Sequence, residues 1–117
     1  MQRVTMTHSL FITTIAVALV AGVPQAARAQ DAKHGQQVYA AQKCSVCHAI
    51  AGKGGKSSPL DGVGAKLSAD DTRQWIVDPV AMAKKSSSTK KPPMPKKYDK
   101  LPPADLDALV AYMQSLK

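Results

Sequence analysis

Cys44-Ser45-Val46-Cys47-His48 puts two thiols three positions apart, with an imidazole directly after the second. Each thiol can add across one vinyl group on the same edge of a porphyrin, and this spacing is the attachment pattern of a c-type haem. His48 then stands where its ring can turn under the iron as proximal ligand. The chain has two cysteines, both in this motif, so no other pairing competes for them. A disulfide between Cys44 and Cys47 would close too short a loop to remove much denatured-state entropy. A thioredoxin-like redox pair requires strands alternating with helices around the motif, and no such pattern is present. Structural zinc requires four protein ligands, commonly from two clusters, and the other histidines, His8 and His34, form no second cluster.

An iron held by one histidine has a second axial position, and its occupant decides the chemistry. A thioether favours the ferrous state and raises the reduction potential, whereas an open position binds gases or peroxide. Beyond the N-terminal segment the candidates are Met82, Met94 and Met113. Met113 falls on the apolar stripe of the last helix and reads as core. Met82 lies in a short helical stretch beside a lysine run and remains a candidate. Met94, between prolines 93 and 95, has limited backbone freedom and presents its sulfur at low entropic cost; spacing and rigidity favour it.

The elements that must hold these groups are helices. Asp31 is a candidate N-cap for a first helix running to about Lys43, and Gly35 inside it marks close approach by another element, since glycine there costs about 1 kcal/mol relative to alanine. The glycine-rich run from Ala51 to Gly64 is a loop. Ser68, with Asp71 three residues later, starts a second helix that ends as Pro79 approaches. Residues 79–85 read as another short helical turn, and 86–91, rich in Ser and Lys, as a mobile stretch. Pro92-Pro93-Met94-Pro95 holds an extended path. The last helix opens at Pro102-Pro103, with Asp105 and Asp107 complementing its dipole and Leu106, Leu109, Val110 and Met113 on one face. No strand and no internal repeat is expected.

The N-terminal segment has the grammar of a cleavable export signal: Arg3, a mostly apolar run of 14 residues from Leu10 to Val23, and Ala27-Arg28-Ala29 as a small-x-small cleavage site. The run is shorter than the roughly 18 residues of a spanning helix, so stable membrane insertion after cleavage is not expected. Residues 1–29 are read as the signal, residues 30–117 as one domain, and the periplasm as the destination. A domain of 88 residues buries a limited share of its surface and commonly needs a staple. With Trp75 and three tyrosines as its aromatics, this one is expected to be largely unfolded without its haem.

The whole chain carries a formal charge of +8, and about +6 remains once Arg3 and Arg28 are removed. Seven lysines fall between residues 84 and 100. Such a surface steers acidic partners. Nucleic acid is not expected, because aromatics for base stacking are missing among these lysines apart from Tyr98.

Cys44-x-x-Cys47-His48, Pro59-Leu60-x-Gly62, Pro93-Met94-Pro95 and the closing Leu109-Val110-Ala111-Tyr112-x-x-x-Leu116 together resemble a small bacterial class I cytochrome c over essentially all of residues 30–117. The resemblance implies an all-α fold of three to five helices wrapped around one covalently attached haem c, its first and last helices crossing with Gly35 and Tyr39 near Leu109 and Tyr112. It implies Cys44 and Cys47 as anchors, His48 and Met94 as axial ligands, and the Pro59 carbonyl as acceptor from the other nitrogen of His48. Trp75 either donates its indole N–H to a propionate or serves in the core. The implied function is transfer of single electrons between redox proteins, with an acidic oxidase, reductase or dehydrogenase as partner and no substrate turnover. A fixed electron-transfer subunit of a larger oxidoreductase, for example in sulfur-compound or alcohol oxidation, shares this chemistry. A sensor or peroxidase in which Met94 is displaced is the third reading, weakened by the lack of a distal His or Glu.

Overall fold

A computed structural model describes residues 25–117; the Arg3 and Leu10–Val23 features of the expected signal lie outside them. Five helices form in chain order: α1 (Gln25–Ala41), α2 (Val63–Lys66), α3 (Ala69–Val77), α4 (Pro79–Lys85) and α5 (Pro103–Ser115). A 3-10 turn spans Cys44–Val46, and a small antiparallel hairpin pairs β1 (Ala49–Ile50) with β2 (Lys53–Gly54).

The α1–α5 crossing organises the rest. A β carbon at Gly35 would overlap the Ala108 carbonyl oxygen of α5 and lie 2.6 Å from Tyr112 Cβ, so the crossing requires glycine. One turn on, Tyr39 meets Tyr112 edge to face, with centroids 5.8 Å apart and planes at 73°, the favoured aromatic geometry. Val38, Tyr39, Leu109, Val110 and Met113 fill the seam, with Ile76 of α3 and Tyr98 of the loop before α5 closing the core. His34 Nε2 lies 3.1 Å from Asp105 Oδ1 across the same seam. The anticipated meeting of the first and last helices is present, with Ala108 as the residue touching Gly35.

Local capping follows the sequence at two junctions. Ser68 accepts from the Asp71 amide at 3.0 Å to start α3. Asp78 accepts from the Ala81 amide at 3.3 Å to start α4, where buried Pro79 takes the first helical position. At the far end of α5, Gln114 Nε2 donates to the Leu67 carbonyl and to Thr72 Oγ1, tying α5 to the start of α3.

Three expectations are corrected. Asp31 is not an N-cap but lies inside α1, because Ala26, Ala27, Arg28 and Ala29 are strong helix formers and nothing stops the helix there. A hairpin exists where no strand was expected: Ala51 and Gly52 have φ of 50° and 75°, the two positive values that a two-residue hairpin turn needs. The run read as loop also ends early, since α2 begins at Val63, its Gly64 amide donating to the Leu116 carbonyl at 2.8 Å. No described helix is long and apolar enough to cross a membrane.

The Gly35 contact makes a direct prediction. Gly35→Ala gains about 1 kcal/mol of helix propensity but overpacks the crossing at a cost of 1–3 kcal/mol or more, backbone against backbone. Its thermal midpoint is expected to fall by about 5–10 °C in a melt of the haem-loaded protein. An unchanged or raised midpoint would mean that α1 and α5 do not meet at this residue.

Candidate functional site

The α1 helix ends at Ala41, and two residues on, the left-handed backbone of Lys43 (φ 56°) turns the chain into the 3-10 segment that begins at Cys44. Three backbone bonds then wind the motif tightly: Val46 to Lys43, Cys47 to Cys44 and His48 to Cys44, at 3.0–3.2 Å. Behind it lies the hairpin. A β carbon on Gly55 would come within 2.8 Å of Cys47 Cα, and one on Gly54, with φ of 112°, within 3.0 Å of the Ser45 carbonyl oxygen. These two glycines let the end of β2 and the residue after it sit directly against the motif, where the Gly55 amide donates to the Ser45 carbonyl at 2.8 Å.

His48 is fixed from two directions. Its Nδ1 lies 2.8 Å from the Ser58 carbonyl oxygen, and the Tyr39 hydroxyl donates to the His48 carbonyl at 3.0 Å. A carbonyl only accepts, so in the neutral ring Nδ1 carries the proton and Nε2 keeps its lone pair. The acceptor is Ser58, not Pro59 as expected. The ring of Pro59 restricts the backbone of the residue before it, so proline sets the direction of the Ser58 carbonyl while Pro59 itself joins the cavity wall.

Two adjoining lobes open beside this assembly, about 290 and 430 Å³ in volume. Cys44, His48, Ser58, Met94 and Tyr98 border both. The first lobe adds Cys47, Lys43, Lys97 and the prolines 92, 93 and 95. The second is strongly apolar, with Leu60, Val63, Ile76, Leu109 and Met113 among its walls. The second is within the usual size range of small-molecule sites, roughly 300–1,000 Å³, and the first, at about 290 Å³, extends it.

The four residues singled out by the sequence for thioether attachment and axial ligation therefore border one cleft. Both cysteines are free thiols. Burial pushes the Cys44 thiol above its ordinary range, offset in part by its backbone hydrogen bond and the nearby Lys97 charge. Burial, with the Cys44 and Tyr112 groups adding to it, also pushes the Tyr39 hydroxyl up to about 12, which keeps it protonated as the donor to His48.

Among the methionines, Met94 borders both lobes. Met82 is buried in α4 away from either, and Met113 belongs to the core and touches the second lobe alone. Trp75 is half-buried in the wall of the second lobe beside Thr72 and Ile76, outside the α1–α5 core.

Sequence reasoning missed Tyr98 and Thr72. Tyr98 is 8 % exposed and forms part of the wall of both lobes; an aromatic four residues after Met94 in an otherwise basic run was the available signal. Thr72 is buried with its hydroxyl donating to the Ser68 carbonyl at 2.8 Å, a role that its sequence position alone does not disclose.

The donor set and the cavity fit a covalently attached haem. Two thiols sit beside an apolar cleft, an imidazole keeps its free Nε2 lone pair, and a thioether comes from a separate segment. A family model for Cytochrome c matches residues 32–117. No curated protein and no solved structure matches the chain. Fold, cleft chemistry and family match agree, and the chain belongs to the Cytochrome c family, a haem-based electron carrier with one covalently bound haem c.

Proposed function

We propose that this protein is a periplasmic carrier of single electrons, with haem attached through Cys44 and Cys47 and iron held between His48 and Met94. The observation that carries this reading is the shared border of Cys44, His48 and Met94 along both lobes of one cleft, with the Nδ1 of His48 already bonded to Ser58. When bound, the haem supplies the iron that alternates between ferric and ferrous states. The protein's part is to hold that iron's surroundings constant. Ser58 fixes the His48 ring plane and increases its basicity as a ligand. The Met94 thioether favours the ferrous state, and the apolar second lobe excludes water from the metal.

The surface supports acidic redox proteins as partners. Lys43 and Lys97 stand at the first lobe beside Val46, which is 72 % exposed, and the other lysines between residues 84 and 100 are exposed as well. A positive rim around an apolar spot at the cofactor's edge suits an encounter steered by charge and completed by short-range contact. Export to the periplasm rests on Arg3, the Leu10–Val23 run and Ala27-Arg28-Ala29.

The ligand assignment is tested on the oxidised holoprotein. The unmutated protein should show a methionine-to-iron charge-transfer band. Met94→Ala should abolish the band and lower the reduction potential; a band that survives would transfer the role to another methionine.

Two further measurements address partner and compartment. Association with an acidic redox partner should slow severalfold between about 10 and 150 mM salt, as the Debye length shrinks from roughly 30 to 8 Å, and a salt-independent rate would discard charge steering. Protein recovered from the periplasm of a host competent in cytochrome maturation should begin at Gln30 and carry the mass of one haem.

A further inference from the structure

Met94 packs against the core, but the segment around it has few polar means of holding itself in place. Prolines 92, 93 and 95 have no amide hydrogen to donate. Among the described residues, no backbone hydrogen bond links residues 89–95 to the body of the fold; the Lys97 amide donates locally to the Pro95 carbonyl at 3.2 Å, and the bonds flanking the segment are Ser88 to Ala83 and Leu101 to Tyr98. One polar side-chain contact reaches across: Lys96 Nζ lies 3.4 Å from Asp78 Oδ2. Asp78 is the residue whose other oxygen, Oδ1, caps α4 at the Ala81 amide. A single carboxylate thus uses one oxygen to start a helix and the other to reach the residue two positions after Met94.

We propose that Asp78 and Lys96 form a clasp that keeps the Met94 strap closed over the cleft, making both positioning residues for the axial thioether. The inference rests on Met94 as the distal ligand and adds the contact that tunes how readily it leaves. The pair is partly exposed, with side chains 37 % and 49 % accessible. An exposed pair acts weakly on global stability, but here it bears on a local opening in which few other contacts are broken. The clasp therefore shows in ligand lability more than in melting temperature, and it weakens as salt screens it.

The test uses ferric holoprotein titrated with imidazole, which competes with Met94 for iron and bleaches the methionine-to-iron band. Asp78→Asn keeps a cap acceptor for α4 while removing the charge, and Lys96→Gln removes the other partner. Each single variant is expected to bind imidazole about two- to fivefold more tightly at low salt. The double variant should be no worse than the weaker single, because both remove the same contact, and Lys96→Arg should restore the unmutated affinity. The difference from the unmutated protein should shrink at high salt.

Unchanged affinities in both singles, fully additive effects in the double, or an equal shift in Lys85→Gln would each overturn the clasp. Lys85 pairs with Asp71 at 3.6 Å outside the strap, so it reports a general charge effect. Failure of the underlying reading looks different: the band would persist in Met94→Ala. A band lost in Met94→Ala, combined with unaltered imidazole binding in Asp78→Asn and Lys96→Gln, would leave the ligand in place and remove the clasp alone.

Discussion

At Gly35 the backbones of α1 and α5 approach so closely that a β carbon would meet both the Ala108 carbonyl and Tyr112 Cβ, and the remaining geometry depends on that contact. It fixes the end of α1, and so the point where Lys43 turns the chain into the Cys44–His48 motif. It also brings Tyr39 against Tyr112, which holds the Tyr39 hydroxyl where it donates to the His48 carbonyl. On the α5 side, the same crossing sets Leu109 and Met113 as a wall of the cleft. A protein with few large aromatics obtains a precise site by bringing two backbones together rather than by filling the space between them. The cofactor supplies the apolar bulk that side chains do not.

The cleft is bounded by two elements of opposite character. The His48 side is wound by local backbone bonds, backed by glycines 54 and 55 against the motif and pinned at the imidazole by Ser58. The Met94 side has prolines in place of hydrogen bonds. Prolines reduce the conformations available to an open strap and so lower the entropy cost of closing it, yet they contribute no attraction that keeps it closed. Attraction must come from the packing of Met94 against the core, from Tyr98, buried four residues later, and from side chains reaching out of the strap.

Much of this was legible in the sequence because the governing signals are short. Ser68 with Asp71, Pro79 at the start of α4 and Pro102-Pro103 before α5 are each decided within one helical turn, and the structure follows them. Gly35 was legible as a close approach because glycine inside a helix is unfavourable without such a reason. What escaped were features decided over distance or by backbone direction. The start of α1 was misplaced since Asp31 caps well in principle, but the alanines before it propagate helix equally well. The hairpin at residues 49–54 depends on left-handed conformations at Ala51 and Gly52, of which only the glycine announces itself. Choosing between the Ser58 and Pro59 carbonyls required knowing which of two adjacent groups points at the imidazole. Asp78 was visible as the residue before a proline, but its second oxygen acquires meaning only when Lys96, eighteen positions later, folds back beside it.

This asymmetry has a consequence for an electron carrier. Fast transfer needs both axial ligands to stay in place while the iron changes charge, so that little rearrangement accompanies each step. On the proposed ligation, the imidazole meets that need through bonds local to residues 44–58, which are insensitive to the rest of the surface. The thioether meets it through a strap whose polar tie is a surface ion pair. On the proposed ligation, bulk salt and the acidic groups of a proposed partner would both compete for Lys96, so the sulfur side is where surface charge would reach the metal. The lysines that would attract a partner and the lysine that steadies the ligand belong to one run of sequence. Binding a partner too strongly through Lys96 would loosen the very bond that makes transfer fast. On that proposal, docking centred on Lys43 and Lys97 at the first lobe would leave the Asp78 contact intact.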